Sequence, residues 1–156
     1  MKNKQRVIVT MMMLMLVSCQ TDKYEQEYER FSAYMKEVHH VKKADDGLYI
    51  VLPVVACNAC NEELIEALST HRHYHVYIII TSLLKSEAAA YKKRLIGYPV
   101  FHDTKEVLHK RGIASRSHPV FIEVSGKQIK QIITINYAKN MKASLNVLNR
   151  YTNNDI

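Results

Sequence analysis

Ile50-Val51-Leu52-Pro53-Val54-Val55-Ala56-Cys57-Asn58-Ala59-Cys60-Asn61-Glu62-Glu63-Leu64 runs from apolar to polar, with two thiols at the change. The run from Leu48 to Val55 is almost wholly apolar, which predicts a strand buried on both faces in the middle of an α/β sheet. Beyond it, Asn58 is the expected cap, and Glu62 and Glu63 the expected first-turn acids. Leu64, Ile65 and Leu68 form the inward stripe of a helix ending near Ser69-Thr70. A thiol at a helix N-terminus faces unpaired backbone N–H groups and the positive end of the macrodipole, so Cys57 is expected to ionise more readily than a free thiol. Cys60, three residues on, is placed to attack a mixed disulfide at Cys57. The pair encloses a minimal loop, and a disulfide stabilises by closing a loop, so a purely structural staple is a weak reading.

Outward on the N-terminal side, Ala44-Asp45-Asp46-Gly47 reads as a turn. Tyr24, Tyr28, Phe31, Met35 and Val38 recur at steps of four and three, the stripe of an amphipathic helix. That helix is expected to pack on the domain, with docking to a partner or a membrane surface as the other reading, and His39-His40 is expected to form its solvated end. On the C-terminal side, Val76 to Thr81 predicts a second buried strand, Leu83 to Leu95 a helix and Tyr98 to Phe101 a short strand. Asp103 with Glu106 has the spacing of a capping box for a helix from Thr104 to Arg111, which Gly112 would end. Pro119 to Val124, Ser125-Gly126-Lys127 and Gln128 to Ile135 predict a strand, a turn and an antiparallel strand. Met141, Leu145 and Leu148 mark a last helix within Tyr137 to Tyr151.

The first residues are basic, Val7 to Val17 is apolar, and Ser18-Cys19 follows, the layout of a secretory signal too short to span a bilayer. Leu16-Val17-Ser18-Cys19 resembles a bacterial lipobox. The resemblance implies a signal peptide over residues 1–18 and a diacylglycerol on Cys19, which would be a lipid attachment point and not a redox thiol. Loss of residues 1–18 removes Lys2, Lys4 and Arg6 and no acid, lowering the formal charge from +7 to +4. What remains has no dense Lys/Arg block, and export makes nucleic acid an improbable partner. With only four glycines and three prolines, the mature chain suits one packed domain.

The order strand, CxxC, helix, strand, helix, short strand, helix, hairpin, helix resembles the thioredoxin fold. The region from Gly47 to Tyr151 is most similar to exported or membrane-anchored thioredoxin-like oxidoreductases of the TlpA group. Tyr98-Pro99-Val100-Phe101-His102-Asp103 and His118-Pro119-Val120-Phe121-Ile122-Glu123-Val124-Ser125-Gly126-Lys127 resemble segments of that family. The resemblance implies an α/β thioredoxin-like domain over 47–156, a central mixed sheet flanked by helices, with residues 19–46 adding a lipidated tether and an extra N-terminal helix. It further implies a cis peptide bond before Pro119 beside the CxxC, with Pro119 and His118 meeting the substrate. Cys57 would attack and Cys60 resolve, with no metal or organic cofactor. The substrates would be disulfides of exported proteins, with a membrane thiol-disulfide carrier as electron donor. The protein would lie in the bacterial envelope, held by Cys19 to the outer membrane and facing the periplasm. The chain departs from thioredoxin at Ala56, at Asn58-Ala59 and at Val51, where thioredoxin carries a buried acid. Proton transfer would then fall to water or to another group, such as Glu62 or Glu63.

Two other chemistries are compatible with parts of the sequence. His71-Arg72-His73-Tyr74-His75 alternates, so in an extended chain three imidazoles face one side, which suits a copper-handling or zinc site. A peroxiredoxin-like peroxidase shares the fold, although Pro53 lies only four residues before Cys57 and the expected threonine is missing.

Overall fold

The computed structural model describes residues 25–55 and 57–152. The expected signal segment, the lipid-bearing Cys19, Tyr24 and Ala56 lie outside the described residues. The elements, in chain order, are α1 (residues 25–39), β1 (Gly47–Pro53), α2 (Asn58–Thr70), β2 (Val76–Thr81), α3 (Lys85–Arg94), β3 (Val100–Asp103), α4 (Val107–Lys110), β4 (Val120–Ser125), β5 (Gln128–Thr134) and α5 (Tyr137–Asn149).

The strands form one sheet in the order β3-β2-β1-β4-β5. β1, β2 and β3 are parallel, while β4 is antiparallel to β1 and β5 to β4. β1 is central and all seven of its residues are buried, the consequence of a continuous apolar run with helices on both faces. Alternation along the strand divides the core in two. Leu48, Ile50 and Leu52 pack with Leu64, Ile65 and Leu68 of α2, Ala88 of α3 and Met141 and Leu148 of α5. Tyr49 and Val51 face the other way, toward Tyr28, Phe31, Tyr34 and Met35 of α1 and Leu108 of α4. This mixed sheet, with helices on both faces and a closing β4-β5 hairpin, is the thioredoxin-like fold, carrying an N-terminal helix. The hairpin turns through Gly126 and Lys127, both at positive φ (60° and 59°), the pattern of a two-residue type I′ turn.

Several local expectations are corrected. β3 begins at Val100 and not at Tyr98, because its pairing with β2 starts at Ile78 opposite Val100. The capping box does not form. Asp103 is fully buried, and its carboxylate accepts from Lys105 N–H (3.3 Å) and Leu108 N–H (3.0 Å). Glu106 adopts a left-handed backbone (φ 52°) and turns its side chain to Arg116 (2.8 Å), so α4 is reduced to Val107–Lys110. His39 is not a solvated terminus: its Nε2 meets the Tyr34 hydroxyl (2.7 Å), and its ring packs 5.0 Å from that of Phe101. Burial holds its pKa below the ordinary value. Among the described residues no helix is long and apolar enough to cross a membrane.

Candidate dithiol active site

The site is built where β1 ends and α2 begins, at the carboxyl edge of the three parallel strands. Cys57 is itself the N-cap of α2. Its Sγ lies 3.3 Å from the N–H of Cys60, satisfying one of the helix's orphan donors. Asn58, the expected cap, is the first helical residue and is exposed. Cys57 and Cys60 are joined by a disulfide with Cα atoms 5.3 Å apart. Their environments differ: Cys57 is partly exposed, whereas Cys60 is fully buried beside Leu64 and Ile65. Such an asymmetric pair can be attacked from solvent at one sulfur only, which distinguishes the two thiols chemically.

The loop before β4 meets the start of α2 through one backbone hydrogen bond: the N–H of Cys57 donates to the carbonyl of Ser117 (3.2 Å), the residue that precedes His118 and Pro119 in the chain. The expected cis bond is absent, since every described peptide bond is trans. Pro119 lies one residue beyond the last β1–β4 pair, Val51 opposite Val120, where its missing N–H disturbs no ladder bond. Its carbonyl accepts from Ile135 (2.8 Å). Within the loop, Ser117 Oγ lies 2.9 Å from His118 Nδ1 and 3.3 Å from Ser115 Oγ.

Ser115 and Ser117 also line an open groove of about 430 Å³ together with Pro53, Val55, Thr81, Leu83, Glu106 and Arg116. Val55 and Leu83 are 85% and 69% exposed, so large apolar side chains stand uncovered within two residues of Cys57 on one side and on the β2–α3 connection on the other.

Neither glutamate named from the sequence serves as a buried proton acceptor. Glu62 is held by Arg94 in a two-pronged ion pair (2.8 and 2.7 Å), and this bond keeps its pKa below the ordinary carboxylate value. Glu63 is part-exposed. Val51 lies in the core shared with α1, while Cys60 lies in the core on the opposite face of the sheet. Sequence reasoning missed Asn61, which is fully buried and donates through Nδ2 to the Pro53 carbonyl (2.9 Å) and the Tyr91 hydroxyl (3.3 Å). It ties the start of α2 to the end of β1 and to α3. The signal was present: residues 61, 64, 65 and 68 have the i, i+3, i+4, i+7 spacing of one buried helical stripe.

The three imidazoles of residues 71–75 do not converge. His73 is buried, with Nδ1 3.0 Å from the Tyr98 hydroxyl, whereas His71 and His75 are exposed. A left-handed backbone at His75 (φ 54°) breaks the extended alternation that would have aligned them. Among the described residues no group of three or more His, Cys, Asp or Glu side chains could hold a metal ion.

A thioredoxin-like sheet that presents one accessible and one buried cysteine at a single helix N-terminus defines a thioredoxin-fold dithiol protein. No family model matches the chain, and no curated protein matches it. Among solved structures it is similar to that of a protein assigned as the thiol:disulfide interchange protein DsbE from Chlorobium tepidum. The identity is 8% and the TM-score 0.45, over 68% of this chain and 79% of that one. The fold assignment rests on the strand order and pairing of this chain.

Proposed function

We propose that the protein is a thiol-disulfide oxidoreductase that exchanges disulfides with exported proteins through Cys57 and Cys60. The observation that carries this reading is the unequal exposure of two bonded cysteines at the N-terminus of α2. In the reducing direction the Cys57 thiolate attacks one sulfur of a substrate disulfide, that bond opens, and a mixed disulfide forms at Cys57. The Cys60 thiolate then attacks Cys57 Sγ and expels the second substrate thiolate, closing Cys57–Cys60. Two electrons and two protons pass to the substrate, and the reverse sequence oxidises it. The groove beside Cys57 and the loop with His118 and Pro119 receive the substrate chain. The exchange itself calls for no metal or organic cofactor.

The N-terminal segment supports an exported lipoprotein carrying its lipid on Cys19. Such an anchor would hold the domain in the bacterial envelope, at the outer membrane facing the periplasm, within reach of a membrane thiol-disulfide donor. The test is a redox titration of the purified chain, trapping free thiols by alkylation and assigning them by mass. A reversible two-electron couple confined to Cys57 and Cys60 is expected, and its midpoint gives the direction. A value near about −120 mV marks an oxidant, and one near about −270 mV a reductant. Cys60→Ser should accumulate mixed disulfides at Cys57, whereas Cys57→Ser should exchange nothing. A pair that never closes refutes the reading.

A further inference from the structure

The first turn of α2 carries the dithiol, and one buried polar side chain at that turn reaches back to β1. Asn61 is fully buried in a stripe shared with Cys60, Leu64, Ile65 and Leu68, where its neighbours are apolar. Its amide orientation is fixed, because the Pro53 carbonyl can only accept. Nδ2 donates to that carbonyl at 2.9 Å and to the Tyr91 hydroxyl at 3.3 Å. Oδ1 is then left buried with no donor among the described residues. An orphaned buried acceptor is costly, and a leucine would complete the apolar stripe, so stability alone does not account for asparagine here. We propose that Asn61 is a positioning residue of the dithiol site. By locking the first turn of α2 to the end of β1, it holds the Cys60 N–H on the Cys57 sulfur and so sets how strongly the site favours the Cys57 thiolate. This rests on the oxidoreductase reading above.

Hydrogen bonds connect Asn61 to Cys57 directly. The Asn61 backbone N–H donates to the Cys57 carbonyl at 3.1 Å, and the Cys60 N–H lies 3.3 Å from Cys57 Sγ. The connection from β1 to this turn is otherwise anchored by Val54 N–H on the Thr81 carbonyl (3.1 Å) and by Cys57 N–H on the Ser117 carbonyl (3.2 Å). The side-chain bond from Asn61 to Pro53 spans that connection and fixes its two ends relative to one another. The chemical consequence is one-sided. In the disulfide, Cys57 Sγ is neutral and gains little from the donor. Two glutathione thiols that reduce the pair leave as their own disulfide, supply two electrons and open the Cys57–Cys60 bond. One of their two protons goes to Cys60, and the other is released to solvent where Cys57 stays a thiolate. The Cys60 N–H and the helix N-terminus then stabilise that charge. An anchored turn therefore favours the reduced form. Replacing Asn61 leaves the charged groups of this turn in place: Glu62 with its partner Arg94, and Glu63, as well as His118 beyond Ser117.

The test uses the full chain in detergent and two readouts. One is the rate of iodoacetamide alkylation at Cys57 against pH, assigned by mass; the other is the equilibrium of the Cys57–Cys60 bond with glutathione. Asn61→Leu fills the same space and donates nothing. It is expected to lower the thiolate fraction about 3–10-fold at a fixed pH below the alkylation midpoint. Above the midpoint it should shift the glutathione equilibrium toward the disulfide by a similar factor, tenfold being about 30 mV for a two-electron couple. Should Asn61→Leu fail to fold, Asn61→Ala is read in the same way. Leu68→Ala, a core truncation near the other end of α2, is expected to lower the urea midpoint and to leave both readouts at their wild-type values. An Asn61 variant with either readout within about twofold of wild type, or a Leu68→Ala protein that shifts them equally, overturns the inference. In that event a wild-type pair that equilibrates reversibly with glutathione leaves the oxidoreductase reading standing. A wild-type pair that glutathione neither opens nor closes removes both.

Discussion

Reduction of the Cys57–Cys60 bond should leave the protein folded and only slightly less stable. The bond closes a loop of four residues counted from Cys57 to Cys60. In the chain-entropy treatment, that constraint removes about 6 cal/mol/K from the unfolded ensemble, or about 2 kcal/mol at 25 °C. Part of this is recovered, because the reduced Cys57 sulfur still faces the N–H of Cys60, and an anion at a helix N-terminus contributes about 0.3–1 kcal/mol. The net cost is then about 1–2 kcal/mol. For a domain of this size it amounts to a fall in Tm of roughly 4–8 °C. The hydrophobic core on each face of the sheet is untouched, so the near-ultraviolet circular dichroism of the folded state should persist. Differential scanning calorimetry of oxidised and dithiothreitol-reduced protein, at equal pH and concentration, measures the difference. A loss above about 4 kcal/mol, or a reduced protein without a cooperative transition, would show that the bond is a structural staple and would refute this account of it.

Three further outcomes follow from the packing and the buried imidazoles. Phe31, fully buried in α1 with its ring 4.9 Å edge-on from Tyr49, should cost about 3–5 kcal/mol on replacement by Ala, read from urea unfolding; a change under about 1 kcal/mol would mean that α1 does not share the core. Gly47→Ala should cost about 2–4 kcal/mol, because Gly47 has φ 147° and an added methyl would overlap the His75 carbonyl that accepts the Leu48 N–H; an unchanged urea midpoint would contradict that close approach. His39 and His73 are both held below the ordinary value of 6.5 by burial. The unfolded chain therefore binds more protons than the folded one as pH falls, so stability should be level above about pH 6.5 and decline below it. Urea midpoints between pH 7.5 and 5.5 should show this slope, and His73→Gln should flatten it.

Where a segment's own residues settle its structure, the sequence was sufficient. α2 ends at Thr70, as expected from Leu64, Ile65 and Leu68, and β2 spans Val76 to Thr81, because burial stripes of period 3.6 or continuous apolar runs are local properties. α4 was misjudged because its outcome depends on distant groups. Asp103 and Glu106 have capping-box spacing, but the buried Asp103 carboxylate takes backbone donors of the following turn, and Arg116, ten residues away, takes the Glu106 side chain. The peptide before Pro119 could not be read from its neighbours, since the two isomers differ by only about 0.5–1 kcal/mol and the surrounding structure decides between them.

The sequence by itself determined the two thiols, their position at a strand-to-helix junction, and the succession of strands and helices, all of which follow from residue type and period; the thioredoxin-like sheet was implied by the resemblance of that succession to a known fold. Tertiary structure alone decided that Cys60 is buried while Cys57 is reachable, that Asn61 clamps α2 to β1, and that Glu62 is neutralised by Arg94. It also decided that His118 follows directly on the carbonyl bonded to Cys57, and that the histidines of residues 71–75 diverge. These depend on which groups meet across the fold, and such meetings are set by the packing of elements far apart in the chain.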